Sequence, residues 1–461
     1  MIPGDQPKIP VLFLFMEFAP VNTTGNFRGL KFIKYISQYN IQPIVVTFIE
    51  EEGAKYFNAK IDTKLLSDIP GDCILYRIHC SDRSKFIIQK LADFMTIYFS
   101  IKDSLAKRWK SDLFKGLVDI MEKHKPKMLV TSLPPFSSGK LAMQISKKFR
   151  IPYILDMRDL WAHFGHGPLP SYFHYKLTIR EENIIFRNAS AIIGVTPQLI
   201  NILKASHPGI EDRKFYYIPN GFDTPLNGND SFQFRASKDK LIIGYVGSFY
   251  FEPEKRENMF RPFWKKRGLE IIEYIPVKQD WLYRSPYFFF KALRQAFDIM
   301  PVLENMVRIE FVGKKPLWLD NMLDEFALKT IFHSHGFVSH RESLDLQEGF
   351  DMLLATSEKI IDAEHYCLPS KVFDYVNQQK PILAFVTEGI QKEFIETSGL
   401  GVVCNPDDTL GSAEKLINLI RDGREFVSNQ EYLKRFQRSF LAGQLAELIH
   451  FTVQENSLII K

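Results

Sequence analysis

The run Pro369-Ser370-Lys371-Val372-Phe373-Asp374-Tyr375 joins a helix start to an acid one turn further on. Pro and Ser open helices, and Ser370 is read as the N-cap. The first N–H groups of such a helix lack intrahelical partners and sit at the positive end of its dipole, so they suit a diphosphate. Asp374 follows Ser370 by four residues and shares its face. A carboxylate there would accept hydrogen bonds from ribose hydroxyls. A capped helix with one acid is also a common structural feature; the strand-like "KPILAF" that follows adds weight by placing this helix in a strand–helix–strand unit.

Three further groups carry chemistry. Asn22-Thr23-Thr24-Gly25-Asn26-Phe27-Arg28 reads as a strand-to-helix loop with a second helix-start anion site, or as an ordinary turn. In Asp156-Met157-Arg158-Asp159, two carboxylates and an arginine end an apolar strand. Such charges are costly to desolvate, so they pair or work at a cleft. Asp156 or Asp159 would orient or deprotonate a hydroxyl, and His163 and His166 nearby are alternative bases closer to neutrality. A buried Arg–Asp pair that fixes the loop explains the same residues. Arg284 precedes Ser285-Pro286, read as an N-cap followed by Pro at the first helical position. Lys314 and Lys315 follow the strand-like "VRIEFVG". Arg284 and Lys314 would neutralise a leaving diphosphate, or are solvated like most lone cations. No G-x-G-x-x-G loop, Walker A loop, strict D-x-D or H-E-x-x-H occurs. A dinucleotide cofactor and a metal-clamped nucleotide are therefore not expected, and no cofactor or metal is assigned.

Apolar strand-length runs alternate with helical patterns to position these groups. Ile9–Met16, Ile44–Phe48, Met128–Thr131, Tyr153–Leu155 and Ala191–Val195 read as strands, and Gly25–Tyr39 as a helix. The polar segment "TPLNGNDSFQFRASKDK", Thr224 to Lys240, interrupts the pattern. It restarts with strands at Leu241–Val246, Val307–Val312, Thr330–Ser334, Met352–Ala355 and Ile382–Phe385. Helices are read at Tyr287–Ile299, Leu317–Ala327, Leu344–Gly349, Lys371–Asn377 and Glu388–Ser398. The expected fold is α/β: two doubly wound Rossmann-like domains facing across a cleft, with ligands beyond the carboxyl ends of the strands. The domains are placed at 1–225 and 226–428, with an aromatic and basic insertion at about 251–283. Asn429 to Gln454 reads as one long helix with Leu433, Phe436, Phe440, Leu441, Leu445 and Ile449 on one stripe. The tail 429–461 is expected to cross back to the first domain.

The bulk numbers fit that outline. A chain of 461 residues with 45% hydrophobic content exceeds one ordinary core. No apolar stretch nears the roughly 18 residues that span a bilayer, and the polar start does not read as a signal peptide. A cytoplasmic protein is expected. Cys73, Cys80, Cys367 and Cys404 lack metal-ligand spacing and read as free thiols. Between Arg83 and Arg150 there are 15 Lys and Arg against 5 Asp and Glu, so a net +5 chain is locally +10 there. That suits an anionic membrane surface or a pyrophosphate-bearing substrate, or is a solvated helix face. No nucleic-acid partner is expected.

In order along the chain, "FAPVNTTGNFRGLKFIKYI", "VTSLPPFSSGKLAMQISKKFRIPYILDMRDLW", "ASAIIGVTPQLINIL", "YYIPNGFD", "IIGYVGSFY", "IEFVGKK", "HGFVSHRESLDL" and "LPSKVFDYVNQQKPILAF" resemble the GT-B retaining glycosyltransferases of bacterial capsule and O-antigen synthesis, the family 4-like group. The resemblance implies a hexosyltransferase-like enzyme that moves a sugar from an NDP-sugar, without a metal, to a lipid-linked saccharide. It implies Gly25 and Arg28 near the donor phosphates or acceptor, and Asp156, Arg158 and Asp159 on the acceptor side. Asn220 and Gly221 would end the first domain. Gly247 and Ser248 would border the donor, and Arg284 and Lys314 would be diphosphate cations. Gly336, Phe337 and Val338 would hold the nucleobase by backbone groups. Ser370 and Lys371 would bind diphosphate, and Asp374 the ribose. Two departures stand out. Relatives often carry two glutamates eight positions apart; here Asp374 takes the second place and Tyr366 the first, with Glu364 or His365 as substitutes. Ser248 stands where relatives often place Arg. The stretch "KFIIQKLADFMTIYFSIKDSLAKRWK" within Arg83–Arg150 would rest peripherally on the inner membrane, or face a core. A nucleotide-sugar epimerase or hydrolase, or a non-catalytic sugar-nucleotide-binding partner protein, are the alternatives.

Overall fold

Ile9–Leu14 (β1) ends in four fully buried apolar residues, Val11 to Leu14, as a strand covered on both faces requires. In the computed structural model, which describes residues 7–80, 105–163, 167–223, 231–234, 240–338 and 340–459, it lies in the interior of a seven-stranded parallel sheet. The others are β2 (Ile41–Phe48), β3 (Ile74–Ile78), β4 (Met128–Leu133), β5 (Tyr153–Met157), β6 (Ala191–Gly194) and β7 (Phe215–Tyr217). Their order is β3-β2-β1-β4-β5-β6-β7, with Leu12 level with Ile44 on one side and Leu129 on the other. The order reverses at β1, so β1 and β4 flank the crevice where doubly wound sheets bind ligands.

The second sheet repeats the plan. Its strands are β8 (Leu241–Val246), β9 (Val307–Val312), β10 (Phe332–Gly336), β11 (Met352–Thr356), β12 (Ile382–Phe385) and β13 (Gly401–Cys404). They run in the order β10-β9-β8-β11-β12-β13, and every pairing is parallel. Here β8 and β11 flank the switch point. Period-2 burial covers both faces: Met352 and Leu354 join one core, Leu353 and Ala355 the other. The chain therefore has two Rossmann-like α/β units. The first comprises Met1–Asn220, Gly268–Pro276 and Arg438–Lys461, and the second Gly221–Arg267 and Val277–Gln437.

Helices cover the sheets by their apolar faces. In the first unit, α1 (Asn26–Ile36) buries Leu30, Ile33 and Ile36 against Val11 and Phe13. In the second, α2 (Tyr287–Ile299) buries Phe289, Leu293 and Phe297, and α3 (Ser370–Asn377) buries Val372, Phe373 and Val376. The tail differs from one continuous helix. A short helix, Gln430–Lys434, ends before Gln437, and α4 (Arg438–Ile459) starts anew. Leu433 and Phe436 belong to a core of the second unit, whereas Leu441, Leu445 and Ile449 belong to that of the first. Phe440 of the same stripe is half exposed. A stripe of helical period thus serves two separate cores.

Other differences are local. Ser231–Phe234, read as linker, pairs antiparallel with Arg424–Val427. β3, β7 and β13 carry too few contiguous apolar residues to stand out by periodicity. β10 begins two residues late because Lys329–Ile331 forms a 3-10 turn. The insertion 251–283 is divided: Pro253–Phe260 is an exposed helix of the second unit, and Tyr274 pairs with Leu169 in the first. The first part of the basic stretch, residues 83–104, lies outside the described residues, as does His166. Among the described residues no helix is long and apolar enough to cross a membrane. The four cysteines are free thiols.

Candidate functional site

At the carboxyl end of the second sheet the turns after three strands are tied in a row. The Gly247 N–H donates to the Val312 carbonyl at 2.7 Å, and the Gly313 N–H to that of Gly336 at 2.9 Å. Gly247 has φ +111°, in the region that favours glycine, and a Cβ there would sit 2.5 Å from Lys371 Nζ. The turn thus leaves room for an ammonium group.

Lys371 enters from the first turn of α3. Its Nζ donates to the Tyr245 hydroxyl at 3.2 Å and lies 4.7 Å from that ring's centroid. Among the described residues it makes no ion pair. Burial pushes its pKa down to about 7; the Arg284 charge adds to this, and Asp374 opposes it. Arg284 is half-buried and donates from Nη1 to Glu358 Oε2 at 2.9 Å. Its guanidinium also lies 5.1 Å from the Tyr250 ring and 5.5 Å from Trp281. Burial works against its charge, but Glu358, together with Cys367, Tyr245 and Tyr250, outweighs burial and holds it protonated. Burial likewise works against the Glu358 carboxylate, but Arg284, and then His365, hold it well below the ordinary range. His365 Nε2 lies 3.2 Å from Glu358 Oε1. Arg284 and Lys371 face a recess of about 20 Å³ that Tyr245, Thr356, Pro369 and Gln391 also line. The Gln391 side-chain oxygen is buried there without a hydrogen-bond partner.

The structure gathers Gly247, Arg284 and Lys371 in this way. Ser370 is not the cap. Pro369 has the extended cap conformation, so Ser370 is the first helical residue and its hydroxyl makes no cap bond. The first-turn N–H groups are consequently unmet by a capping side chain. A similar one-residue shift occurs at α2: Pro286 is the cap, and Ser285 Oγ accepts from the Tyr287 N–H at 3.2 Å. Asp374 is exposed on α3. Lys314 is exposed and outside the lining of the recess, while Lys315 bonds Asp320 at 2.5 Å. Ser248 is exposed, and its carbonyl accepts from the Tyr245 hydroxyl. Gly336 ends β10 with φ +69°, Phe337 is 76% exposed, and Val338 packs on the core. Glu364 is exposed. Tyr366 is buried, with its hydroxyl accepting from Gln279 at 3.4 Å.

In the first unit Asp156 pairs with Arg28, not with neighbouring Arg158. Arg28 Nη2 and Nε donate to its carboxylate at 2.7 to 3.0 Å, with both side chains buried. Arg28 also donates to the carbonyls of Ile218 and Pro219, and Ser132 donates to Asp156. Asp156 is thereby enclosed and directed at cations and hydroxyls of its own unit. Arg158 pairs instead with Glu17 at 3.0 Å and donates to the Pro134 carbonyl. A Cβ on Gly25 would overlap this Arg158–Glu17 pair, so Gly25 brings the loop before α1 against it. The residues meet at the switch point between β1 and β4, around a recess of about 10 Å³. Asp159 is half-buried beside them in sequence. His163 lies 3.2 Å from the Tyr175 hydroxyl, and burial lowers its pKa.

Sequence reading passed over Glu17, Glu358 and the buried Glu182–His207 pair (3.1 Å). Glu17 and Glu358 each lie within three residues of an apolar strand's end, close to the signal that singled out Asp156. Glu182 lies inside a helix and gives no such signal.

No family model matches the chain, and no curated protein matches its sequence. Solved structures do match. A lipopolysaccharide outer core galactosyltransferase, WaaB in its apo form, aligns at TM-score 0.54 and 12% identity over 96% of this chain and 100% of its own. Sucrose-phosphate synthase from Thermosynechococcus elongatus aligns at 0.52 and 13% identity over 98% of both chains. The N-terminal domain of a Candida albicans trehalose-6-phosphate phosphatase aligns at 0.52 and 12% identity, also over 98% of both. Coverage is nearly end to end, and the two Rossmann-like units form the GT-B fold.

Proposed function

We propose that this GT-B protein is a glycosyltransferase that binds a nucleoside-diphosphate sugar on its second unit. The observation that carries the reading is the enclosed pair of cations, Arg284 and Lys371, at the carboxyl end of β8. Arg284 is balanced by Glu358, whereas Lys371 has no carboxylate partner among the described residues. Such a site attracts a compact anion, and a diphosphate supplies charge for Lys371 and acceptors for the α3 N–H groups. Asp374, exposed one turn along α3, would accept from ribose hydroxyls. The backbone at Gly336–Val338 would take the base.

The mechanism follows from charge. Breaking the anomeric bond leaves negative charge on the diphosphate and positive charge on the sugar. Arg284 and Lys371 stabilise the developing leaving-group charge more than the ground state. Retention of configuration, a lipid-linked saccharide acceptor meeting the first unit near Arg158 and Asp159, and peripheral attachment to the cytoplasmic face of a membrane complete the proposal. They rest on the sequence resemblance.

The test is a panel of UDP-, GDP- and dTDP-sugars, with and without a lipid-diphosphate extract, followed by release of free nucleoside diphosphate. Acceptor-dependent release from one donor, reduced at least about tenfold in Asp374→Ala, is the expected result. Turnover without acceptor would replace the proposal by epimerase or hydrolase chemistry. Donor binding without turnover under every condition would leave a binding protein.

A further inference from the structure

On the edge of the second sheet, three ligand-type side chains converge outside the recess described above. Glu310 lies on β9, opposite His333 of the edge strand β10. His333 and His335 lie two apart on that strand. The register slips at this point: Phe311 pairs with Ser334 but Val312 with Gly336, which leaves His335 as the extra residue of a bulge. The slip brings His335 Nε2 to 2.7 Å from Glu310 Oε2. The His333 ring stands edge-on to that of His335 with centroids 4.7 Å apart. One donor atom from each of Glu310, His333 and His335 lies within 4.8 Å of the other two.

We propose that Glu310, His333 and His335 form a binding site for a divalent transition-metal ion of the zinc class. Two imidazoles and a carboxylate match that class, whereas magnesium and calcium prefer oxygen donors throughout. Donors about 2 Å from a common ion would be reached by side-chain shifts on the order of 1 Å. Burial gives the site direction. The Glu310 carboxylate is almost inaccessible, while His333 is exposed, so an ion enters from the His333 side and water completes its shell. Arg308, two residues before Glu310 on the same face, is ion-paired with the other carboxylate oxygen. The guanidinium therefore competes with the metal for Glu310. The ion would clamp the edge strand to its neighbour just before the Gly336 turn. The inference is independent of the sugar-nucleotide reading, since none of these residues lines the diphosphate recess.

The test is titration of the metal-free full-length chain with Co²⁺, read by its visible d–d absorption, and with Zn²⁺ by calorimetry. One saturable equivalent is expected, with Zn²⁺ displacing Co²⁺. His333→Ala, an exposed change that leaves the melting temperature of the metal-free chain unaltered, is expected to weaken binding at least about tenfold. Arg308→Ala is expected to tighten it by removing the competitor. Absence of saturable binding, or affinity unchanged in His333→Ala, overturns the proposal. Affinity that does not rise in Arg308→Ala removes Glu310 from the ligand set and overturns it in this form.

Discussion

Lys371 is a cation enclosed beside another cation, and its titration reports on both. Burial, with Arg284 reinforcing it, places its pKa near 7 in the free protein. A bound diphosphate favours the charged ammonium, so above pH 7 binding takes up a proton. Below about 7 the lysine is already charged, and affinity for an NDP-sugar, whose diphosphate diester keeps its charge, is expected to be flat. Above it, affinity should fall by up to about tenfold per pH unit until the pKa of the complex is reached. Lys371→Arg stays protonated throughout and should flatten the profile. Calorimetry between pH 6 and 9 checks both, and affinity that rises with pH would exclude Lys371 as a diphosphate ligand. Glu358 acts at one remove. It fixes the Arg284 guanidinium 74 positions away in sequence, so Arg284 presents its remaining donors from a held position.

At the scale of elements, the site depends on how closely backbones approach. Beneath it, the loop carrying Glu358 and His365 runs against the start of helix Ile390–Ser398. Gly389 caps that helix with φ +136°, and its neighbours in space are the amide and carbonyl of His365. A Cβ at this position would overlap the His365 carbonyl oxygen, and the bridge between the two segments would have to open. Gly389→Ala is therefore expected to destabilise the second unit by about 2–4 kcal/mol, combining positive-φ strain with a backbone clash. Chemical denaturation followed by a probe in that unit measures it, and a shift under about 0.5 kcal/mol would mean the loop relaxes freely. The same approach sets His365 beside Glu358, so packing of two backbones positions the counter-charge of Arg284.

For the whole molecule, the path of the chain decides what each unit needs to fold. α4 comes last in sequence, yet it packs on α1 and closes the first core. Leu441, Leu445 and Ile449 are buried there, and the Tyr39 hydroxyl donates to the Ser439 carbonyl at 2.9 Å. Burying three large aliphatic side chains contributes roughly 1.5–3 kcal/mol each. The total is comparable with the net stability of a domain. Truncation after Gln437 is expected to unfold the first unit and leave the second folded. Hydrogen exchange should then show protection lost over residues 9–48 and kept over 241–246; retained protection over 9–48 would show that α4 is dispensable. The sequence by itself determined the two doubly wound units and the three strands Leu241–Val246, Val307–Val312 and Ile382–Phe385 to the residue. A strand buried on both faces writes its burial into contiguous residues, and that pattern is local. Arg284 stood out by its place before Ser285-Pro286, whereas Gly247 and Lys371 came from the resemblance and not from periodicity. Only the tertiary structure decided which charges meet. Arg28 takes Asp156 from 128 positions away, while Arg158, two residues from Asp156, turns to Glu17. The tail shows the same limit, since one helical stripe divides between two cores at Gln437. Periodicity records that a side chain is buried; the partner is set by which strand ends and helices converge in space, and spacing along the chain carries no trace of that.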